Sequence, residues 1–134
     1  MARILVVDDR AENRDLLAYL LGYHGHTVSL AADGAAGVRD ALAGLPDLIL
    51  MDIAMPGVDG LAAARQMRSH PELADTPLIA ISAIGTITRE TTRANGFDAF
   101  YPIPIEPADF LAQLGPFLTA RHRAKHPESG NPRG

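Results

Sequence analysis

Three short runs of consecutive apolar residues constrain the fold of this chain most strongly. The runs are Ile4–Val7, Leu48–Met51 and Leu78–Ile81. Each run ends directly in a polar residue, namely Asp8, Asp52 and Ser82. Uninterrupted apolar runs of this length are typical of strands buried on both faces of a parallel sheet. Since the carboxyl ends of parallel strands meet at one edge, we expect the three polar residues to lie close together.

Amphipathic segments alternate with the apolar runs along the whole chain. The predicted strands are Arg3–Val7, Thr27–Ala31, Asp47–Asp52, Leu78–Ser82 and Ala99–Tyr101. The predicted helices are Arg10–Leu21, Gly34–Ala43, a third with Leu61, Ala64 and Met67 on one face, a fourth within Gly85–Gly96, and a fifth that Pro107 opens. Strict alternation of strands and helices predicts an α/β fold, a doubly wound five-stranded parallel sheet with helices on both faces.

The helices differ in how well the sequence specifies them. In the first, Leu16, Leu17, Leu20 and Leu21 are expected to share the buried face, and Gly22 is expected to end the helix. The fourth is rich in β-branched threonine and poor in apolar residues, so we expect it to be short or mobile. In the fifth, Phe110, Leu111, Leu114, Phe117 and Leu118 are expected to face inward, and Pro116 to kink the helix or end its regular part.

Composition limits the kinds of protein that this chain can be. The 134 residues suffice for one domain, which we place at 1–120, followed by a flexible basic tail at 121–134. The absence of cysteine excludes disulfides and thiolate metal sites. No apolar run approaches the ~20 residues of a membrane span, and no signal peptide precedes the first strand, so we expect a cytoplasmic protein. With a net charge of −4 and no basic face in the domain, we expect no direct DNA binding.

Carboxylates gather at the predicted edge of the sheet. Asp8 and Asp9 follow the first strand, and Asp52 ends the third. Three carboxylates brought together repel one another unless protons or a hard cation intervene, and oxygen ligands of this type suit Mg²⁺. Simpler roles remain open: Asp8 or Asp9 as a helix cap, and Ser82 as a partner of backbone groups at its strand end.

Four sequence motifs together resemble the receiver domain of bacterial two-component response regulators. They are Val7-Asp8-Asp9, residues 50–60 (L-M-D-I-A-M-P-G-V-D-G), residues 79–83 (I-A-I-S-A) and residues 96–104 (G-F-D-A-F-Y-P-I-P). The resemblance covers about residues 3–119 and implies the flavodoxin-like fold with strand order 2-1-3-4-5. It also implies a phosphate-accepting signalling protein rather than an enzyme that turns over a separate substrate. Since no output domain follows residue 121, we expect this protein to stand alone.

The resemblance assigns roles to particular residues of this chain. It implies that Asp52 accepts a phosphoryl group from a histidine kinase or a histidine phosphotransfer protein. Asp9, Asp52 and the backbone carbonyl of Ala54 would hold Mg²⁺, or Mn²⁺ in its place, with Asp8 acting through water. Ser82 and Ala83 would contact the phosphoryl group. Phe100 would be the aromatic switch residue that turns inward on activation, although ordinary core packing explains a phenylalanine there equally well.

One departure from the family pattern affects the expected function. The pattern has Lys followed by Pro after the fifth strand, whereas this chain has Ile103 and Pro104, and its only lysine is Lys125. The resemblance implies a cis Ile103-Pro104 bond all the same. An alternative is therefore a pseudo-receiver, an interaction module that works without phosphorylation. A hydrolase or nucleotide-binding enzyme is disfavoured because no G-x-x-x-x-G-K or G-x-S-x-G motif is present.

Overall fold

A five-stranded parallel sheet forms the centre of the computed structural model, which describes residues 2–53, 60–83 and 89–125. The strands are β1 Arg3–Val7, β2 Thr27–Ala31, β3 Leu48–Asp52, β4 Leu78–Ala83 and β5 Ala99–Ile103. The helices are α1 Ala11–Tyr23, α2 Gly34–Gly44, α3 Gly60–Arg68, α4 Arg89–Ala94 and α5 Pro107–Lys125, with a short 3₁₀ turn at Pro71–Leu73. The strand order is β2-β1-β3-β4-β5, so the predicted fold and order are confirmed.

Two apolar cores cover the two faces of the sheet. Alternate residues of the central strands point to opposite faces: Leu5 and Val7 belong to one core, and Ile4 and Val6 belong to the other. The first core includes residues of α2 and α3, and the second includes residues of α1 and α5. Every residue of β3 is buried, as the uninterrupted apolar run predicts for a central parallel strand.

Several helix predictions need correction. Helix α1 continues through Gly22 to Tyr23, because a glycine inside a helix costs only about 1 kcal/mol. Leu16 is 48% exposed, so the buried face of α1 rests mainly on Leu17 and Leu21. Pro116 lies inside α5, so it does not end the helix, and the alternative effect, a kink, stays a prediction. Its exposed position lets solvent reach the carbonyl that loses its partner.

Other boundaries differ by a few residues from the predictions. Strand β5 includes Pro102, which an edge strand tolerates because one side of its backbone needs no partner. Helix α4 is short, as expected, and begins at Arg89. Helix α5 extends to Lys125, past the predicted domain boundary at residue 120, and residues 126–134 lie outside the described part. In the part of the chain that the structure describes, no helix has both the length and the apolar character needed to cross a bilayer.

Helix α5 is attached to β5 through Tyr101. Its ring packs edge-on against Phe110 at a centroid distance of 4.8 Å, and its hydroxyl donates a hydrogen bond to Asp109 Oδ2 at 3.2 Å. Burial raises the pKa of the Tyr101 hydroxyl, and the hydrogen bond to Asp109 adds to the effect. The tyrosine therefore stays neutral. Its ring contact with Phe110 and its hydrogen bond to Asp109 hold α5 against β5, the strand that ends at Ile103.

The end of α3 is fastened by a single guanidinium. Arg68 Nη1 donates to the carbonyls of Leu73 and Thr76 at 2.8 and 2.7 Å, and its Nε donates to the carbonyl of Gly96 at 2.9 Å. Its Nη2 pairs with Asp98 Oδ2 at 2.9 Å, and the same carboxylate oxygen accepts the backbone N–H of Leu78 at 2.9 Å. Arg68 thereby joins α3 to the segments that lead into β4 and β5.

Replacing Arg68 with Met should lower the free energy of unfolding by about 2–3 kcal/mol, because several part-buried carbonyls and a carboxylate lose their donor. Arg65→Met is the matched control, since the exposed Arg65 guanidinium bonds only the Asn95 side-chain oxygen among the contacts described here. The free energy of unfolding of both variants is measured by urea unfolding, monitored by circular dichroism. Equal effects of the two substitutions would contradict the role assigned to Arg68.

Candidate functional site

The pairing of β1, β3 and β4 determines which side chains meet at the carboxyl edge of the sheet. Val7 is paired with Met51, so the next residues of the two strands, Asp8 and Asp52, emerge side by side. Asp52 is paired with Ile81, which places Ser82 one position further along the neighbouring strand. The sequence prediction that these polar residues converge is therefore correct, and its cause is the register of three adjacent parallel strands.

Three carboxylates form a compact cluster at this edge. One ligand oxygen from each of Asp8, Asp9 and Asp52 lies within 4.8 Å of the others. Asp8 and Asp52 are almost fully buried, whereas Asp9 is exposed. Oxygen donors grouped in this way around an accessible side suit a hard divalent cation, which would offset the repulsion among them.

Asp8 is held by a network at the start of α1. Its Oδ1 accepts the backbone N–H of Arg10 at 2.9 Å, an Asx-type turn, and its Oδ2 accepts the side-chain amide of Asn13 at 3.2 Å. Its backbone carbonyl accepts Nη1 of Arg14 at 2.8 Å. Asp8 thus belongs to the carboxylate cluster and also stabilises the turn that leads into α1. It is not the N-cap residue of α1, which is Arg10. Sequence reasoning missed Asn13 and Arg14.

Ser82 brings a buried hydroxyl to the cluster. It is 1% exposed, and its Oγ has no hydrogen-bond partner among the residues that the structure describes. The alternative role, satisfying backbone groups at the strand end, therefore has no support in the described contacts. A buried hydroxyl left without a partner costs about 1–3 kcal/mol, so such a group in a native protein calls for a ligand or solvent oxygen as its partner. Together with the three carboxylates, it fits a site for an oxyanion bound next to a cation.

The remaining predicted site residues are placed as follows. Ala83 is the last residue of β4 and is paired with Ile103, the last residue of β5. The Ile103-Pro104 peptide bond is cis, as the resemblance implies. Phe100 is buried at 9% exposure in the core that includes residues of α2 and α3, and its role as a switch stays a prediction. Ala54 lies outside the described residues.

Gly60 explains how α3 can begin so close to the end of β3. It begins α3, and a Cβ atom there would lie 2.5 Å from the carbonyl oxygen of Asp52 and would also overlap the Cα of Ile53. Only glycine allows α3 to start this close to the end of β3.

Comparison with known proteins identifies the family. Residues 4–114 match the response regulator receiver domain. The chain belongs to this family. It is 41% identical over 96 residues to protein PilH of Pseudomonas aeruginosa, which covers 72% of this chain and 77% of that protein. It is 33% identical over 117 residues to response regulator MprA of Mycobacterium ulcerans, covering 87% of this chain. This chain spans about half of the length of MprA.

Solved structures support the same assignment. Chemotaxis protein CheY4 of Vibrio cholerae superimposes with a TM-score of 0.83 at 26% identity, over 88% of this chain and 99% of that one. The receiver domain of sensor histidine kinase PA1611 from Pseudomonas aeruginosa superimposes with a TM-score of 0.81 at 30% identity, over 88% and 98% of the two chains. That structure contains a magnesium ion coordinated in its active site cleft.

Neutralising one carboxylate of the cluster should weaken cation binding. We expect Asp9→Asn and Asp52→Asn each to reduce the affinity for Mg²⁺ by about tenfold or more, because each removes a charge and a hard oxygen ligand. Asp15→Asn removes the same charge from an exposed site on α1 and should leave the affinity nearly unchanged. The Mg²⁺ affinity of each of the three variants is measured by following amide NMR shifts as Mg²⁺ is added. Unchanged affinity in Asp9→Asn would show that the cluster is not the metal site.

Proposed function

We propose that this receiver accepts a phosphoryl group on Asp52 from a phosphohistidine, in a reaction that needs Mg²⁺, and that it signals through contact with another protein. One observation carries the proposal: one carboxylate oxygen from each of Asp8, Asp9 and Asp52 lies within 4.8 Å of the others, and the adjacent strand brings the buried hydroxyl of Ser82, which has no hydrogen-bond partner among the described residues. Receiver domains as a family interact with histidine kinases or phosphotransfer proteins, which are the donors of this chemistry.

The reaction is a direct displacement at phosphorus. A carboxylate oxygen of Asp52 forms the new P–O bond while the P–N bond of phosphohistidine breaks, and its electron pair leaves on the imidazole nitrogen, which takes up a proton. The Ser82 hydroxyl donates a hydrogen bond to a phosphoryl oxygen, and the backbone N–H of Ala83 is the second proposed donor. Asp52 is fixed at the end of a fully buried strand, so its oxygen is presented with little loss of side-chain entropy.

Mg²⁺ is the cation that we propose for the cluster, with Mn²⁺ as a replacement. When bound, it supplies positive charge to the oxygens of the transferred group. Asp9 and Asp52 are the proposed direct ligands, together with the carbonyl of Ala54. Both oxygens of Asp8 already accept hydrogen bonds, from Arg10 and Asn13, so Asp8 acts through a water molecule. The magnesium in the receiver domain of PA1611, a relative in fold and sequence, supports this choice.

The pseudo-receiver alternative has no support from the comparisons, and the metal and acceptor residues argue for phosphorylation. Ile103 affects a later step. Since Ala83 is paired with Ile103, an apolar side chain occupies the end of β5 nearest to Ser82, where the family pattern has lysine. We propose that phosphorylation occurs but that its coupling to β5 and α4 is weak. The signal passes by protein contact, without DNA binding by this domain and without turnover of a separate substrate.

Phosphate capture tests the proposed function directly. Incubation of the full chain with a small acyl phosphate and Mg²⁺ should add one phosphoryl group, because the donor set at Asp52 suffices without a kinase. Intact-mass measurement detects it. Asp52→Asn should abolish the addition, and Asp15→Asn should preserve it. A wild-type protein that gains no mass under these conditions, while remaining folded, would be a pseudo-receiver.

Restoring the lysine tests the coupling. A hydrogen bond to a charged group contributes roughly 1.5–3 kcal/mol, whereas reversing a two-state equilibrium from 1:99 to 99:1 needs about 5.5 kcal/mol. We therefore expect Ile103→Lys to enlarge the amide shifts of residues 89–104 on addition of a phosphoryl mimic by a clear margin over wild type. Shifts of the same size in both proteins would mean that another group already links the phosphoryl site to β5.

A further inference from the structure

A second charged group lies at the edge of the acidic cluster. Nε of Arg10 is 3.9 Å from Oδ1 of Asp8, and the side chain of Arg10 is 52% exposed while that of Asp8 is 2% exposed. The backbone N–H of Arg10 also donates to Asp8 Oδ1, at 2.9 Å. The base of the Arg10 side chain is thus fixed beside the cluster, and its guanidinium end lies at the open, solvent side.

The guanidinium groups of Arg14 and Arg68 are engaged in other contacts. Arg14 donates to the backbone carbonyl of Asp8. Arg68 donates to backbone carbonyls and pairs with the carboxylate of Asp98. Among the described residues, the ion pairs join Arg10 to Asp8 and Arg68 to Asp98. Arg10 is therefore the guanidinium in the described part that both contacts the cluster and keeps donors facing solvent.

The phosphorylated site needs a cation of this kind. An acyl phosphate on Asp52 would stand beside Asp8 and Asp9, and the site stays negative even with one divalent cation bound. The sequence has no lysine at the position after the predicted fifth strand where the family pattern has one, and its single lysine is Lys125. A guanidinium is always charged and presents parallel N–H groups that match two phosphoryl oxygens.

We propose that Arg10 pairs with the phosphoryl group on Asp52 and leaves Asp8 as that group arrives. This inference rests on the proposed function. Arg10 follows β1, whereas Ile103 ends β5, and β1 and β5 lie on opposite sides of the strand that carries Asp52. Arg10 therefore stabilises the phosphoryl group from the α1 side, and this contact does not pull on β5.

The proposal predicts opposite effects on two ligands. Before phosphorylation the Arg10 charge competes with a metal ion for the cluster, so Arg10→Gln should raise the affinity for Mg²⁺ by about two- to fivefold. At saturating Mg²⁺ the same variant should bind beryllium fluoride, a phosphoryl mimic, about three- to tenfold more weakly. A purely structural role of Arg10 would move both affinities in the same direction.

The experiment measures both affinities on the full chain by amide NMR titration and compares four proteins: wild type, Arg10→Gln, Arg10→Lys and Arg39→Gln. Arg10→Lys keeps the charge but loses the paired N–H groups, so its affinity for Mg²⁺ should stay within about twofold of wild type, and its affinity for beryllium fluoride should fall between those of wild type and Arg10→Gln. Arg39→Gln removes a charge from the exposed side of α2 and should change neither affinity. Circular dichroism melting verifies that each variant is folded.

Arg10→Gln that lowers both affinities, or changes neither, overturns the role of Arg10. The proposed function survives that result as long as wild type still gains a phosphoryl group from acyl phosphate. A wild-type protein that neither gains the group nor binds the mimic overturns both proposals.

Discussion

The repulsion among three carboxylates at one edge of the sheet is the constraint on which the functional part of this structure depends. Asp8 and Asp52 are forced together because Val7 and Met51 are partners in adjacent parallel strands, and neither side chain can turn away from a buried strand end. Part of the cost is offset by donors at the start of α1, from Arg10 and Asn13. The remaining negative charge favours a cation at this edge.

The rest of the fold keeps this edge in place. The two apolar cores fix the register of the strands, and Gly60 lets α3 begin in contact with the backbone of Asp52. At the far end of α3, Arg68 connects that helix to the segments before β4 and β5. Helix α3 therefore connects the backbone of Asp52, at its first residue, with the segments before β4 and β5, the strands that carry Ser82 and Ile103.

Much of this arrangement follows from sequence because burial on both faces requires unbroken apolar runs. Those runs predicted the central strands and the polar residues at their ends, and hence the cluster of Asp8, Asp9 and Asp52. Helix ends were less predictable, since Gly22 and Pro116 act through energies of a few kcal/mol that packing and solvent can offset. The contacts of Asn13 and Arg14 with Asp8 could not be predicted, because they depend on how α1 is rotated against the sheet. For Arg10, by contrast, the sequence itself shows that the residue directly follows Asp8 and Asp9.

The carboxylate cluster should destabilise the fold until a cation binds, and this effect can be measured by urea unfolding of wild type and Asp9→Asn with and without Mg²⁺. Without metal, Asp9→Asn should unfold at the higher urea concentration because one like charge is gone. Mg²⁺ should then stabilise wild type, by about 2.7 kcal/mol at a hundredfold excess over its dissociation constant, and should stabilise Asp9→Asn much less. A less stable Asp9→Asn without metal, together with equal stabilisation of both proteins by Mg²⁺, would show that repulsion at the cluster does not destabilise the fold and that Asp9 does not hold the cation.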